Sequence, residues 1–578
     1  MKLGKAFSDS LIIGVKAATR FGKPKAASWW LGAGRALLFT SILFVALFVL
    51  LWRLFTLTII RGHEFRVLAE GNRTRELIRG APRGRILDRT GRVLADNEPV
   101  GNYDYKRVYP AGSGASHVVG YTGEVTADEL ARDYYKLRSY RAGDRIGRMG
   151  AEAVWEERLR GRDGRELVEV DANGTPTRTL GRVEEVPGED VTLAVDKGLA
   201  AAALAAFPPD GKGAIVVSRP MSGEILTLYT SPTFDANIFS TTLAGETADE
   251  LFENPELPML NRAIGGIYPP GSTFKIVTAI AGLEEGSLTA NTRIEDTGEL
   301  VIGPFRFPNW FFTKYGKTDG LVDIIKAIQR SNDIFFYKAG ESLGITKLAA
   351  WGRRVGIGSP LGIEIPGETG GLMPDPAWKA RHFDTEVDRE ARNDQWYLGD
   401  TYHVAIGQGY LLTTPLQVNV WTNVIANGGK LCRPTIEKAK ESRVKSQECK
   451  ELGIKKETID VITDGMKRAC EPGGTGWPLF EFKVMSAESK VKSEQNAATD
   501  SSTLHSTLLT PDLLVPVACK TGTAEFGDPQ NRTHAWFTAF APIEDPEISV
   551  TVLVEGAGEG SDKAAPVAKK ILEEWFSR

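Results

Sequence analysis

The chain has 578 residues, of which 42% are hydrophobic and 25% charged, and its formal net charge is −4. This length exceeds what a single hydrophobic core organises, so two or more domains are expected. The composition is that of a globular protein without a basic excess, which argues against nucleic acid as a partner.

A basic segment at the start of the chain leads into an apolar one. Residues 1–35 contain seven Lys or Arg and one acid, while residues 36–52 are uncharged, and residues 54–60 are apolar again after Arg53. About 20 apolar residues span a bilayer, and a charge near the end of a span can snorkel to the interface. We therefore predict a cytoplasmic basic tail (1–34) and a transmembrane signal-anchor helix (35–60). A cleaved signal peptide is the alternative, but the apolar run is long for one and no small-residue cleavage site follows it.

Residues 61–190 are rich in Arg, Gly and short apolar stretches. Two short strands are predicted around the turn at Thr90-Gly91, a helix over 147–160, and a hairpin turn at 161–164 before a strand over 166–170. No catalytic cluster is evident here. A spacer or docking domain is the expected role, and the basic flank of the anchor predicts that it lies outside the cytoplasm.

A second domain is predicted over residues 191–578. It begins with an Ala-rich helix (196–207) and a hairpin of strands (213–219 and 224–230), and it ends with strands over 536–541 and 548–554 and a helix over 563–576. Helices fill the middle, so the pattern predicts α+β or α/β architecture with an antiparallel sheet. Residues 486–512 are rich in Ser, Thr, Ala and charge, which predicts a mobile insertion.

A candidate nucleophile stands in residues 268–275, which read Tyr-Pro-Pro-Gly-Ser-Thr-Phe-Lys. The prolines and Gly271 end the preceding element, so Ser272 is expected at the N-terminus of a buried helix, where the dipole and free N–H groups favour an oxyanion. Lys275 follows three residues later, on the same face. A buried amine with a lowered pKa can take the serine proton. The spacing alone is a weak signal, because residues 442–445 and 489–492 share it in polar stretches that we interpret as surface.

Ser331-Asn332-Asp333 stands just before the apolar stretch 334–337. Taken alone, these hydroxyl and short polar side chains predict a helix N-cap.

A third motif follows the apolar stretch 514–519 and consists of Lys520, Thr521, Gly522 and Thr523. The pattern predicts a strand in which the glycine lets another backbone approach closely. Lys and Thr side chains at such a place can hold a carboxylate.

The chain contains four cysteines, Cys432, Cys449, Cys470 and Cys519. Cys432, Cys449 and Cys470 fall in one stretch, so one disulfide among them is possible in an oxidising compartment. Unpaired buried thiols are an equal alternative. The spacing fits no zinc pattern.

The three motifs occur in the order of the set Ser-x-x-Lys, Ser-Asp-Asn and Lys-Thr-Gly of penicillin-binding proteins and class A β-lactamases. On these motifs the chain resembles a class B penicillin-binding protein of the elongation type. Further stretches carry the likeness: 83–95, 147–173, 268–275, 403–409, 414–417 and 534–542. The resemblance implies an α+β transpeptidase fold, in which helices flank an antiparallel sheet beside an all-helical part. It also implies a β-rich pedestal domain of the dimerisation type (61–190), a transpeptidase domain (191–578) and one transmembrane helix.

By resemblance, the activity is that of a peptidoglycan D,D-transpeptidase that cross-links stem peptides through a serine acyl-enzyme during cell-wall elongation. Ser272 would attack the D-Ala-D-Ala carbonyl, and Lys275 would be its base. Ser331 would relay a proton to the leaving nitrogen. Lys520 would place positive charge near the substrate carboxylate and lower the pKa of Lys275.

The resemblance also assigns substrate binding to the third motif, Thr521, Gly522 and Thr523, with both threonines on the terminal carboxylate. The backbone N–H groups of Ser272 and Thr523 would form the oxyanion hole. Asp333, assigned to the same substrate site, stands where the general pattern has Asn. A carboxylate can accept from a lysine but cannot donate to a substrate carbonyl.

Some relatives hold a zinc ion just before the middle motif, but residues 285–330 contain no Cys or His, so neither a metal nor another cofactor is expected. The partners implied are stem peptides, lipid-linked glycan strands, β-lactams, the membrane, a RodA-type glycosyltransferase and other elongation-complex proteins, without nucleic acid. The location implied is a single pass in the inner (plasma) membrane, with the N-terminus cytoplasmic and the catalytic domain extracytoplasmic.

Two other functions compete with this one. A hydrolytic member, a D,D-carboxypeptidase or β-lactamase, would use the same serine but would need a group that activates water at the acyl ester. A scaffold would act mainly by activating a RodA-type glycosyltransferase. The sequence leaves open whether the acceptor amine belongs to lysine or to diaminopimelate.

Overall fold

A computed structural model describes residues 29–171, 173–241, 245–438, 449–484 and 513–578 of the chain. Most of the predicted basic tail (1–34) and all of the predicted insertion (486–512) therefore lie outside the described residues. The chain forms two compact units. The first combines the chain up to Leu77 with Glu166–Arg182, and the second combines Ile78–Arg165 with Val183–Arg578. The domain boundaries predicted at residues 60 and 190 stay a prediction.

The first unit contains a long apolar helix. Residues Gly34–Ile60 have a mean hydropathy of 2.4, and none of the apolar window within them is buried. Phe44 is 71% and Leu43 is 68% exposed, and apolar area exposed to water costs about 25 cal/mol per Å². The helix is long and apolar enough to cross a membrane, and it coincides with the predicted span 35–60.

The helices follow the sequence prediction closely in the C-terminal half and less closely before it. The predicted helix over 147–160 is two short helices, and the last helix begins three residues before its predicted start, so Pro566 lies in its second turn. The α-helices are α1 (Trp29–Phe55), α2 (Gly62–Arg73), α3 (Ser116–Val119), α4 (Ala127–Leu130), α5 (Asp133–Leu137), α6 (Gly150–Val154), α7 (Glu156–Leu159), α8 (Lys197–Ala206), α9 (Gly245–Phe252), α10 (Lys275–Glu284), α11 (Trp310–Tyr315), α12 (Ile324–Arg330), α13 (Asp333–Leu343), α14 (Ile345–Arg354), α15 (Pro376–His382), α16 (Glu386–Glu390), α17 (Leu398–Ala405), α18 (Pro415–Ala426), α19 (Lys456–Ala469) and α20 (Gly560–Phe576).

The two strands predicted around Thr90-Gly91 are present, but the second of them is eight residues long rather than short. The strands are β1 (Thr74–Arg79), β2 (Ile86–Leu87), β3 (Val93–Val100), β4 (Asp104–Val108), β5 (Thr122–Glu124), β6 (Arg145–Gly147), β7 (Gly164–Val170), β8 (Pro176–Val183), β9 (Val191–Thr192), β10 (Gly213–Ser218), β11 (Ile225–Ser231), β12 (Arg293–Asp296), β13 (Glu299–Ile302), β14 (Phe305–Pro308), β15 (Gly320–Asp323), β16 (Lys430–Cys432), β17 (Cys449–Glu451), β18 (Lys483–Val484), β19 (Leu513–Leu514), β20 (Ala518–Glu525), β21 (Thr533–Ala541) and β22 (Ile548–Val554).

A five-stranded antiparallel sheet organises the second unit, in the order β11-β10-β22-β21-β20. Its strands are buried on both faces because side chains alternate between two layers of helices. Leu199 of α8 and Ile571 of α20 pack with Phe537 on one face, and Trp421 of α18 packs with Trp536 on the other. The strand β20 is at the edge of the sheet, so one row of its backbone groups faces away from β21.

The all-helical part lies beside this edge. Helices α10, α13 and α14 contribute Ile280, Phe335 and Leu348 to one buried cluster. Helix α10 is almost entirely buried, as its apolar sequence predicts. The start of α10 and the start of α13 are therefore held rigidly against the sheet edge, where the candidate site forms.

Candidate active site

Ser272 lies in a tight turn that the preceding prolines and Gly271 make possible. The segment Gly271–Phe274 is a 3₁₀ turn that runs directly into α10. Gly271 has φ +52°, and a Cβ there would lie 2.7 Å from the carbonyl oxygen of Thr523, so a larger residue would be excluded. Its N–H donates to the carbonyl of Gly407 at 2.9 Å. The turn thus fixes Ser272 between β20 and the 403–409 segment.

Lys275 is completely buried one turn beyond the serine. Its Nζ donates to Asp333 Oδ1 at 2.7 Å, to the Ser331 carbonyl at 2.7 Å and to Ser331 Oγ at 3.4 Å. Burial lowers the pKa of Lys275, and the Asp333 carboxylate opposes this shift. The amine is therefore easier to deprotonate than an exposed lysine.

Ser331 connects α12 to α13 in a left-handed conformation, with φ 55°. Its neighbour Asn332, rather than Ser331 itself, caps α13 by accepting from the N–H of Phe335 at 2.9 Å. The Asn332 amide also donates to Asp296 Oδ2 at 2.9 Å and to Asp319 Oδ2 at 3.1 Å. A non-glycine residue in the left-handed conformation costs about 1–3 kcal/mol. The bonds of Asn332 hold the neighbouring backbone of Ser331 in that conformation.

Lys520 reaches the same hydroxyl from the sheet side. It is completely buried in β20, and its Nζ donates to Ser331 Oγ at 2.8 Å and to the Thr521 carbonyl at 2.9 Å. Burial, and then the nearby Lys275 ammonium, lower the pKa of Lys520 well below its usual range, with Asp333 opposing. The predicted lowering of the Lys275 pKa by Lys520 stays a prediction.

Each carboxylate oxygen of Asp333 accepts a hydrogen bond from the protein. Oδ1 accepts from Lys275, and Oδ2 accepts from the N–H of Trp310 at 2.9 Å. Its predicted contact with substrate stays a prediction. In the structure the Asp333 carboxylate accepts from Lys275. The Asn of the general motif would instead offer an N–H donor as well as an acceptor.

The third motif forms the cleft wall along the exposed edge of β20. A Cβ on Gly522 would lie 2.9 Å from Trp536 Cβ and 3.0 Å from Thr273 Cγ2, so only glycine lets the nucleophile turn pack here. Thr521 Oγ1 lies 2.7 Å from Thr475 Oγ1. The Thr523 carbonyl accepts from the amide of Gln408 at 3.4 Å.

A cleft of about 1180 Å³ opens over these groups. Six of the eight predicted site residues line it: Ser272, Ser331, Asp333, Thr521, Gly522 and Thr523. The two lysines lie beneath it, in contact with Ser331. The structure thus brings together in one site all eight residues that the sequence singled out.

Other cleft residues were missed by the sequence analysis. They include Trp310, Thr475 and Trp477, whereas Gln408 was noted as part of the family signature 403–409. His403 was noted only as part of a family signature; its imidazole lines the cleft, and burial lowers its pKa while Asp400 and Glu525 oppose the shift. A Gly-Gly-Thr-Gly sequence at 473–476 marks a turn near Thr475, but nothing local indicates which strand it meets.

All four cysteines are paired, which corrects the expectation of one disulfide or none. Cys432 bonds Cys449 across the β16–β17 pair, where the Cα atoms are 3.9 Å apart. Cys470 bonds Cys519, with Cα atoms 5.9 Å apart. The sequence left Cys519 out because its partner is 49 residues away, and only the packing of α19 on β20 brings the two together.

The comparison with known families matches two parts of the chain. Residues 213–573 match the penicillin binding protein transpeptidase domain, and residues 101–193 match the penicillin-binding protein dimerisation domain. The chain belongs to the penicillin-binding protein transpeptidase family. The cleft over Ser272 therefore lies in the transpeptidase domain, as the three motifs predicted.

Individual relatives agree with this membership. The chain is 32% identical to the peptidoglycan D,D-transpeptidase MrdA of Haemophilus influenzae over 82% of this chain and 70% of that protein. It is also similar to penicillin-binding protein 2 in a complex with MreC from Helicobacter pylori. That similarity has a TM-score of 0.68 at 27% identity and covers 87% of this chain and 98% of that one.

A third similarity is to a chain from a structure described as coordination of polymerization and crosslinking by a peptidoglycan synthase complex. It has a TM-score of 0.69 at 27% identity and covers 94% of this chain and 98% of that one. These findings confirm the resemblance to elongation-type penicillin-binding proteins, the predicted fold and the predicted serine-type D,D-transpeptidase activity.

Proposed function

We propose that Ser272 is the nucleophile of this D,D-transpeptidase and that Lys275, Ser331 and Lys520 form one proton-transfer chain beside it. The observation that carries the proposal is Ser331 Oγ, which receives contacts from both buried lysine amines, at 3.4 and 2.8 Å. A hydroxyl between two amines can accept from one and donate to the other.

The chain of contacts supplies a neutral base. A proton passes from the Lys275 ammonium to Ser331 Oγ while the Ser331 proton passes to Lys520, which leaves Lys275 neutral and Lys520 charged. A substrate carboxylate beside Thr521 and Thr523 favours this charge on Lys520. Substrate binding thereby prepares Lys275 to act as a base.

Acylation then proceeds with all protons accounted for. The Lys275 amine takes the Ser272 proton as Ser272 Oγ bonds to the carbonyl carbon of the penultimate D-Ala. The bond from that carbon to the terminal D-Ala nitrogen breaks, and Ser331 passes the proton from Lys275 to this nitrogen. A neighbouring stem-peptide amine next attacks the ester, gives up its proton to the site and returns Ser272 to its hydroxyl form.

The backbone N–H groups of Ser272 and Thr523 are proposed as the oxyanion hole. The close approach of Gly271 to the Thr523 carbonyl supports this, because it places the nucleophile turn directly against the edge of β20. Asp333 is proposed as a positioning residue that fixes the Lys275 amine. β-Lactams, which carry a reactive amide and a carboxylate, are proposed to acylate the same serine.

The remaining proposals concern the setting of the enzyme. We place α1 in the inner (plasma) membrane with the N-terminus cytoplasmic, residues 61–190 as a pedestal and residues 191–578 as the transpeptidase domain. The substrates are stem peptides on lipid-linked glycan strands. A RodA-type glycosyltransferase and other elongation-complex proteins are the proposed partners, supported by the similarity to penicillin-binding protein 2 bound to MreC and to a chain of a peptidoglycan synthase complex.

Product analysis tests the proposal against hydrolysis. Full-length protein in detergent is incubated with uncross-linked glycan strands that carry pentapeptide stems, and the digested products are separated by mass. Cross-linked dimers that depend on Ser272 are expected. Stem peptides shortened by one D-Ala without dimers would instead identify a carboxypeptidase.

A further inference from the structure

The loop between α19 and the short 3₁₀ turn at Trp477–Leu479 forms part of the cleft wall. Gly474, Thr475 and Trp477 line the cleft together with the third motif. Thr475 is half-buried, and its hydroxyl lies 2.7 Å from that of Thr521. This hydroxyl pair is a direct hydrogen-bond contact between the loop and the strand that is proposed to hold the substrate carboxylate.

We propose that Thr475 is a positioning residue of the carboxylate site and that the Cys470–Cys519 disulfide holds it there. The inference rests on the proposed function of the third motif. Each threonine hydroxyl has one proton and can also accept. When Thr475 donates to Thr521 Oγ1, the Thr521 proton is left to point at the carboxylate, and a hydrogen bond to a charged acceptor is about twice as strong as a neutral one.

The loop is anchored on both sides of Thr475. Cys470 is joined covalently to Cys519, which immediately precedes Lys520 in β20. Gly476 packs on this disulfide so closely that a Cβ there would lie 2.6 Å from Cys519 Sγ. Its N–H also donates to the Ala469 carbonyl at 2.7 Å. The disulfide and Gly476 together fix the distance from Thr475 to the strand.

A second anchor ties the loop to the middle motif. The Arg330 guanidinium donates to the Gly473 carbonyl at 2.9 Å, and it also bonds Asp319 at 3.0 Å. Because Arg330 immediately precedes Ser331, this contact ties the loop to the middle motif, whereas the disulfide ties it to β20. Loss of the disulfide should loosen Thr475 from β20 but leave the contact near Ser331, so substrate binding should weaken more than the fold around Ser272.

The test measures the rate of acylation of the full-length protein by benzylpenicillin and by its methyl ester, followed by intact mass. For Thr475→Val, which keeps the shape but removes the hydroxyl, acylation by benzylpenicillin should fall by about tenfold, because Thr521 loses the hydrogen bond that orients its proton toward the carboxylate. Acylation by the ester, which lacks the charge, should change by less than about twofold. Thr475→Ser should restore the wild-type rate with benzylpenicillin.

The second disulfide provides the matched control. Cys470→Ala with Cys519→Ala should show the same preference for the ester as Thr475→Val, whereas Cys432→Ala with Cys449→Ala should acylate like wild type. The inference would be overturned if Thr475→Val lost acylation rate equally with benzylpenicillin and its ester, or if it kept the wild-type rate with both. In either case, acylation of the wild type would still uphold the proposed function. A wild type that is not acylated at all would overturn both. If the cysteine variants do not fold, the two Thr475 variants decide.

Discussion

At the scale of single residues, the unequal surroundings of two buried lysines set the chemistry. Lys275 has a carboxylate partner at 2.7 Å, while Lys520 contacts a hydroxyl and a carbonyl. Desolvation acts on both amines, so the pKa of each lies below that of an exposed lysine. In the proposed mechanism the resting charge is assigned to Lys275, because it has the carboxylate partner, and substrate binding favours its transfer to Lys520.

The substitution Asp333→Asn tests how Asp333 affects the protonation of Lys275, and the pH dependence of acylation is the measurement. Asp333 raises the pKa of Lys275 against the effect of burial, so removing its charge should lower that pKa and make the neutral base available at lower pH. The rising limb of acylation rate against pH should shift to lower pH. Asp196→Asn, which disturbs the ion pair with Arg578 at the other side of the sheet, should leave the limb in place. A shift to higher pH would contradict the account.

At the scale of elements, the corner between α12 and α13 is where local sequence was informative but incomplete. A cap at the start of α13 was predicted, and it exists, with Asn332 as the capping residue. What the sequence could not show is that the other end of the Asn332 amide bonds Asp296 and Asp319, which lie 36 and 13 residues away. Such contacts depend on how β12 and β15 pair, not on any local pattern.

Asn332→Ala tests the importance of this corner. The substitution removes a helix cap, which costs about 0.5–2 kcal/mol, and leaves two buried carboxylates short of a donor. The free energy of unfolding should fall by about 2–4 kcal/mol in total. Denaturant unfolding measures it, with Thr385→Ala, at the exposed cap of α16, as the control that should cost about 0.5–1 kcal/mol. Equal losses in the two variants would show that the Asn332 network does not hold the corner.

Some residues of the site could be predicted from local sequence, and others could not, because they meet only through the packing of distant segments. The three motifs could be found because each combines reactive or polar side chains with an apolar element in one short, continuous stretch of chain. Thr475 and the Cys470–Cys519 pair could not, because α19 and β20 are separated by a long stretch of chain that the sequence pattern does not bridge. The central sheet was predictable in its hairpins but not in its order, in which β10 pairs with β22.

At the scale of the whole molecule, the chain combines the candidate cleft with an apolar helix that is long enough to cross a membrane and is not buried in the described structure. Acyl transfer between two polymer-bound peptides requires the cleft to be held near newly made strands. A membrane anchor and a protein partner that makes those strands would provide this. Catalysis and partner activation then depend on different parts of the chain.

Ser272→Ala should separate these two functions. Cross-linking should be abolished, while stimulation of glycan polymerisation by a co-reconstituted RodA-type glycosyltransferase should remain within about twofold, since one hydroxyl in the cleft contributes nothing to a distant interface. Polymerisation in proteoliposomes measures the second effect. Loss of stimulation by a variant that retains the wild-type melting temperature would contradict the separation.

The most direct test of the central claim is the intact mass of the full-length protein after incubation with benzylpenicillin, followed by peptide mapping. The account predicts a stable gain of one antibiotic mass, located on the peptide that contains Ser272 and absent from Ser272→Ala. An unmodified protein with intact antibiotic would show that Ser272 is not an activated nucleophile. An unmodified protein with hydrolysed antibiotic would show that the site releases its acyl group to water and is not a transpeptidase.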